Sequence, residues 1–188
     1  MIRHHCYGVA TLALVLAAAG CSGPMLTYET PRTTPIYDFY RYGAGDRDLK
    51  LSVLGNPFAM PQDAFALAVE EEFPGNGALQ PATRPRLSPD ASAKNGFQLA
   101  LAFGGDLDET GAQACAGQGG SQGPAAGGRV VVVAAFCVNN RVLSEASGQV
   151  AANDPRAPEF RELLGQLSTS LFRPDEPMGP GGGEAPLR

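Results

Sequence analysis

Histidine is almost missing from this chain. The two present, His4 and His5, lie within the first five residues, so everything beyond them lacks an imidazole. A Ser-His-Asp or Cys-His site needs that ring as its base, and a histidine-based zinc site needs it as a ligand. Both are excluded from the body of the chain. Amines are as scarce: only Lys50 and Lys94 could act as amine nucleophiles. Positive charge is in deficit, with 14 Lys and Arg against 19 Asp and Glu and a net charge of -5. Phosphate backbones are held by a surplus of Lys and Arg, so no nucleic-acid partner is expected. Charged residues make up 18% of the chain, below the usual level for soluble domains. An apolar run of about 20 residues, as a spanning helix requires, is absent. The phosphate-binding glycine spacing is missing too. In "GQGGSQGPAAGG", Gln122 stands where G-x-G-x-x-G would place its third glycine after Gly117 and Gly119. No Gly-Lys-Ser/Thr follows it.

What the chain does have is glycine and proline, 24 and 16 of them in 188 residues. That length supports one domain with a real core, and the composition predicts long irregular segments around it. The first residues, "MIRHHCYGVATLALVLAAAGC", have a distinct layout. Arg3, His4 and His5 form a short polar start. Residues 9–19 are an uncharged, mostly apolar run of eleven residues. This is too short to span a bilayer and fits the hydrophobic part of a secretory signal. A buried helix is the alternative, but polar, Pro-rich sequence follows with no amphipathic face.

Ala18-Ala19-Gly20-Cys21 resembles the lipobox of bacterial lipoproteins, with Ala18 where Leu is usual. The resemblance implies cleavage before Cys21, a diacylglycerol thioether on its sulfur, and an amine acylated by a palmitate-like chain. Residues 1–20 are then a lipoprotein signal peptide, and the partner of Cys21 is a lipid bilayer. Ser22 after the lipidated Cys implies the periplasmic face of the outer membrane over the inner membrane. Once Cys21 is committed to lipid, Cys115 and Cys137 remain as a pair in an oxidising compartment. A disulfide between them is expected. Two free buried thiols and half of a metal site are the alternatives, although no other soft ligand lies nearby.

Along the rest of the chain, residues 21–36 read as a flexible, Pro-rich tether from the membrane. Residues 37–173 read as a single α+β domain. Leu49, Leu51 and Val53 alternate with Lys50 and Ser52, which predicts a strand over residues 48–55. Pro61 opens a helix whose Phe65, Ala68, Val69 and Phe73 share a face and which Pro74-Gly75 stops. "FQLALAF" and "VVVVAAFCV" read as buried strands. Asn139-Asn140 is a two-residue turn that returns residues 141–150 as a hairpin partner. In that register Cys137 faces Val142 and Phe136 faces Leu143. Residues 104–128 are a Gly-rich flexible loop. Phe160, Leu163, Leu164, Leu167 and Leu171 stripe a final helix. Residues 174–188 are a loose tail. The expected architecture is a two-layer sandwich, order β-α-β-β-β-α. It has about four strands in a largely antiparallel sheet and two helices on one face.

Few residues suggest chemistry. Asp106, Asp108 and Glu109 in "GDLDET" fall short of a calcium loop, and neither metal nor cofactor is expected. Glu70, Glu71 and Glu72 are adjacent on a helix and therefore point apart. Tyr37, Phe39, Tyr40 and Tyr42, with Arg41, form an aromatic cluster that either packs on the sheet or binds a ligand. Asn56 in "GNPF" caps a strand-to-helix turn or meets a ligand there. "YDFYRYGAGDRDLKLSVLGNPF" and "AAFCVNNRVLSEASG", together with the lipobox, resemble a group of short Gram-negative envelope lipoproteins. The element order is similar to auxiliary lipoproteins of envelope ABC transport systems. These resemblances imply location and shape, not an activity. Two functions follow as expectations. The first is a non-catalytic interaction or assembly module facing the periplasm, with an envelope protein partner. The second is a carboxylate-based enzyme acting on envelope polymers through residues such as Glu70 or Asp106.

Overall fold

The run "RVVVVAAFCV" carries β-branched and small residues on both of its faces, and it becomes a central strand. The computed structural model describes residues 23–29, 36–74, 85–104, 109–123 and 126–172. The signal segment, Cys21, Asp106, Asp108 and the tail lie outside the described residues. Strands β1 (Met25–Glu29), β2 (Leu49–Leu54), β3 (Pro85–Arg86), β4 (Phe97–Phe103), β5 (Arg129–Val138) and β6 (Arg141–Ala151) form one sheet. Its order is β1-β6-β5-β4-β2-β3. Pairing is antiparallel from β1 through β4 and parallel on both sides of β2. Four helices accompany it among the described residues: α1 (Ile36–Ala44), α2 (Gln62–Glu72), α3 (Gly111–Cys115) and α4 (Pro158–Phe172).

The α+β class therefore holds, but the expected four-stranded, largely antiparallel sheet with two helices does not. Among the described residues the sheet has six strands of mixed direction, and there are four helices. The additions have physical reasons for having been silent. β1 lies in the segment read as a tether, and its side chains are mostly exposed, so main-chain bonds to β6 hold it. A strand held that way leaves no apolar alternation. β3 has two residues, too few for any period. α1 is spelled with aromatics, and α3 lies in the Gly-rich loop.

Alternation divides β4 and β5 between two layers. Leu99, Leu101, Val132, Ala134 and Phe136 face α1, α2 and α4 in the main core. Burying a large apolar side chain there contributes roughly 1.5–3 kcal/mol. Ala100, Ala102, Ala135 and Cys137 face the other way, against Ala114 and Cys115 of α3. Small residues on that face let the short helix sit close. Helices thus cover both faces, three on one and one on the other.

The hairpin turn is as expected: Asn139 and Asn140 both take positive φ, at 49° and 62°. Cys137 pairs with Val142, but Phe136 pairs with Ser144, not Leu143, because a bulge shifts the register between them. The extra residue lets Val142 pack with the α3 layer while Ser144 donates from Oγ to the Leu171 carbonyl of α4 at 3.1 Å.

Candidate functional site

Helix α1 ends at a groove. Gly45 donates to the Arg41 carbonyl at 2.9 Å, and Asp46 then turns the chain with φ 55°. Tyr37, Asp38, Arg41, Tyr42, Asp46 and Arg47 line an open concavity of about 750 Å³. The aromatic cluster read from sequence is divided here by helical spacing. Tyr40 is buried and lies 4.3 Å, ring to ring, from Phe172 of α4. Tyr42, 61% exposed, stands at the groove with its ring 5.9 Å from that of Phe97. Phe39 is also exposed, and Tyr37 is half-buried. Packing accounts for Tyr40, and a surface accounts for Tyr42.

Lys94 arrives from the loop before β4 and places its Nζ 3.2 Å from the centre of the Tyr42 ring. Such an ammonium is attracted by the negative face of the ring. Its hydrogen bonding and then its positive charge hold the Tyr42 hydroxyl below the ordinary tyrosine value, and Arg47 adds a smaller pull. Arg41 and Arg47 are balanced by Asp38 and Asp46 in the groove lining, and Lys94 stands beside it over the Tyr42 ring. Exposed guanidinium groups and aromatic faces recognise anionic or planar groups of a partner. Sequence reasoning placed the aromatics but missed Lys94, Asp46 and Arg47. Asp46 and Arg47 follow α1 directly in the chain, whereas Lys94 comes from a distant loop that only the fold brings to Tyr42.

Of the two carboxylates named for catalysis, Asp106 lies outside the described residues and Glu70 is engaged in structure. Glu70 pairs with Arg86 at 3.0 Å and also accepts the Leu87 backbone N–H at 2.8 Å. Glu71 pairs with Arg156 at 3.0 Å, and Glu72 pairs with Arg161. Each meets a different arginine, although all three line one concavity at the end of α2. Glu109 accepts the Gly120 N–H through both carboxylate oxygens, at 2.9 and 3.1 Å. Asn56 is occupied by its own turn: its amide donates to the Met60 carbonyl at 2.7 Å and its oxygen accepts from Phe58 N–H at 3.0 Å. Lys50 is exposed on β2. Among the described residues no group of three His, Cys, Asp or Glu is placed to hold a metal ion.

Cys115 and Cys137 are joined as a disulfide, with their Cα atoms 5.7 Å apart. It fastens the end of α3 to β5. The Gly-rich loop beyond it is less free than its composition implied. Asn56 N–H donates to the Ser121 carbonyl at 2.8 Å, and Gly123 N–H donates back to the Asn56 carbonyl at 2.9 Å. At Gly120 (φ 72°) a Cβ would come within 2.7 Å of the Gly55 nitrogen, so the close approach requires glycine. Residues 120–123 are therefore bonded to the sheet end, although composition predicted a flexible loop over residues 104–128.

Comparison with family models, curated proteins and solved structures finds no match to this chain. Function must be argued from its own residues.

Proposed function

We propose that this protein is a lipid-anchored envelope lipoprotein, a non-catalytic interaction module that meets an envelope protein partner at the α1 groove. The observation that carries the anchor is the short apolar run ending in Ala-Ala-Gly-Cys21. The Cys115–Cys137 disulfide supports it, because such bonds persist in oxidising compartments. Among the described residues no helix is long and apolar enough to cross a membrane. The groove supports the module. Its cations and Tyr42 offer binding chemistry, while Glu70, the described carboxylate of the enzyme reading, is held by Arg86 and the Leu87 backbone.

Two variants test the two halves. Cys21→Ser should abolish the diacylglycerol mass and leave the protein at its precursor mass, with residues 1–20 uncleaved. Membrane retention with the mature, lipidated mass would overturn the anchor. Arg41→Glu with Arg47→Glu should strip a stoichiometric partner from the native complex while the protein stays membrane-bound. A partner retained in full would remove the groove from the interface.

A further inference from the structure

The order of strand ends fixes how an anchored molecule would stand. β1 begins at Met25, which pairs with Gln149 near the end of β6. Arg129, at the start of β5, pairs with Ala151. Gly23, Met25, Gly127, Arg129 and Gln149 together line a small cavity of about 270 Å³ at this end of the sheet. Gly23 is therefore seated on the folded domain, not on a long leash. Only Ser22 separates it from Cys21. Two residue steps of fully extended chain reach about 7 Å. A lipid on Cys21 would bring this end of the sheet to the bilayer surface whatever path Ser22 takes.

The chemistry of this end suits a headgroup layer. Arg129 is exposed beside Gly23, and Met25 is 54% exposed. The side-chain oxygen of Gln149 is buried and accepts no hydrogen bond among the described residues, although its neighbours line the cavity. A guanidinium donates to lipid phosphate, and an exposed Met side chain tolerates the interfacial zone. The groove lies at the opposite end. Leu49 starts β2 just after Arg47 and Asp48, and Lys94 precedes Phe97, which pairs with Val138 at the far end of β5. β6 alone, of 11 residues, spans roughly 33 Å between these ends at 3.3 Å per residue.

We infer that the sheet end carrying Gly23, Arg129 and Gln149 rests on phospholipid headgroups, with Arg129 on phosphate, and that the α1 groove is held a sheet's length above the bilayer. This rests on the lipid-anchor reading. The test uses the full lipidated protein in vesicles of phosphatidylethanolamine and phosphatidylglycerol containing nitroxide-headgroup lipid. Fluorophores are placed singly at the two ends of one strand, through Arg141→Cys and Ala151→Cys, with the native disulfide intact. Quenching should be several-fold stronger at 151 than at 141, and Arg129→Glu should weaken it at 151. Equal quenching at the two positions, or stronger quenching at 141, would overturn the orientation. Undiminished quenching at 151 in Arg129→Glu would remove the phosphate contact. The mass of the vesicle-bound protein reports separately on the anchor. Absence of diacylglycerol at Cys21 overturns the anchor and this inference together, whereas its presence with equal quenching overturns the orientation alone.

Discussion

Gly43 shows how much a single hydrogen can matter. It sits in α1 with the Phe97 ring directly over its Cα, and an added Cβ would overlap the ring. Tyr42 lies against that ring at 5.9 Å and Phe136 at 6.0 Å, so displacing it disturbs both contacts. Alanine would gain up to about 1 kcal/mol in helix propensity, but forced overpacking typically costs about 1–3 kcal/mol. Gly43→Ala should therefore lower the denaturant midpoint without changing the slope; an unchanged or raised midpoint would refute the packing argument. The neighbouring pair gives a titration. Lys94 favours the phenolate of Tyr42, so losing the ammonium must raise the pH at which the hydroxyl ionises. Lys94→Met should shift the Tyr42 ultraviolet titration upward, toward the ordinary tyrosine value, with Tyr42→Phe identifying the signal. A curve that stays in place would mean that Lys94 does not govern Tyr42 in solution.

At the level of elements, α3 is the one that depends most on help. Its five residues are too few to hold a helix in water. Two devices retain it. Thr110 and Gln113 form a capping box at its start, and the disulfide fastens its end to β5. The bond spans a sequence separation of 22 residues, for which chain-entropy reasoning gives about 3 kcal/mol. Replacing both Cys115 and Cys137 with Ser should lower unfolding free energy by that order, as read by denaturant melts. Amide exchange should quicken first around Ala114 and in residues 117–123. A loss below about 0.5 kcal/mol, the ordinary surface-substitution range, would show that packing alone retains the helix.

The same elements show what could be read without coordinates. β2, α2, β4, β5 and α4 bury continuous or periodic apolar faces, so their positions were legible to within a residue or two, and β6 followed from the Asn139-Asn140 turn. Leu163, Leu164 and Leu167 are the clearest instance, all fully buried. β1 and β3 offered no such face. α1 was partly readable: Ile36, Tyr40 and Ala44 recur every four residues, although aromatic content favoured another reading. The Thr110-x-x-Gln113 spacing could have announced α3 within its Gly-rich surroundings. The bulge that moves Phe136 from Leu143 to Ser144 left no local signature. At the groove the aromatics were visible, but the convergence of Lys94 with Tyr42 depends on a contact between distant parts of the chain.

For the molecule as a whole, the notable pairing is that of β1 with β6. Thr27 and Ser147 bond through their hydroxyls at 2.8 Å across a sequence separation of 120. Closing so large a loop is slow relative to forming the β5–β6 hairpin, so the edge strand is expected to join an otherwise assembled sheet. Its placement also has a mechanical meaning. Tension between a bilayer at the Met25 end and a partner at the α1 groove would run along the strands. The β1–β6 ladder, antiparallel from Met25 with Gln149 to Glu29 with Ala146, would then be loaded in shear, its bonds strained together instead of peeled apart one after another. A strand that contributes little to the core is thereby oriented to carry a pulling force into the domain.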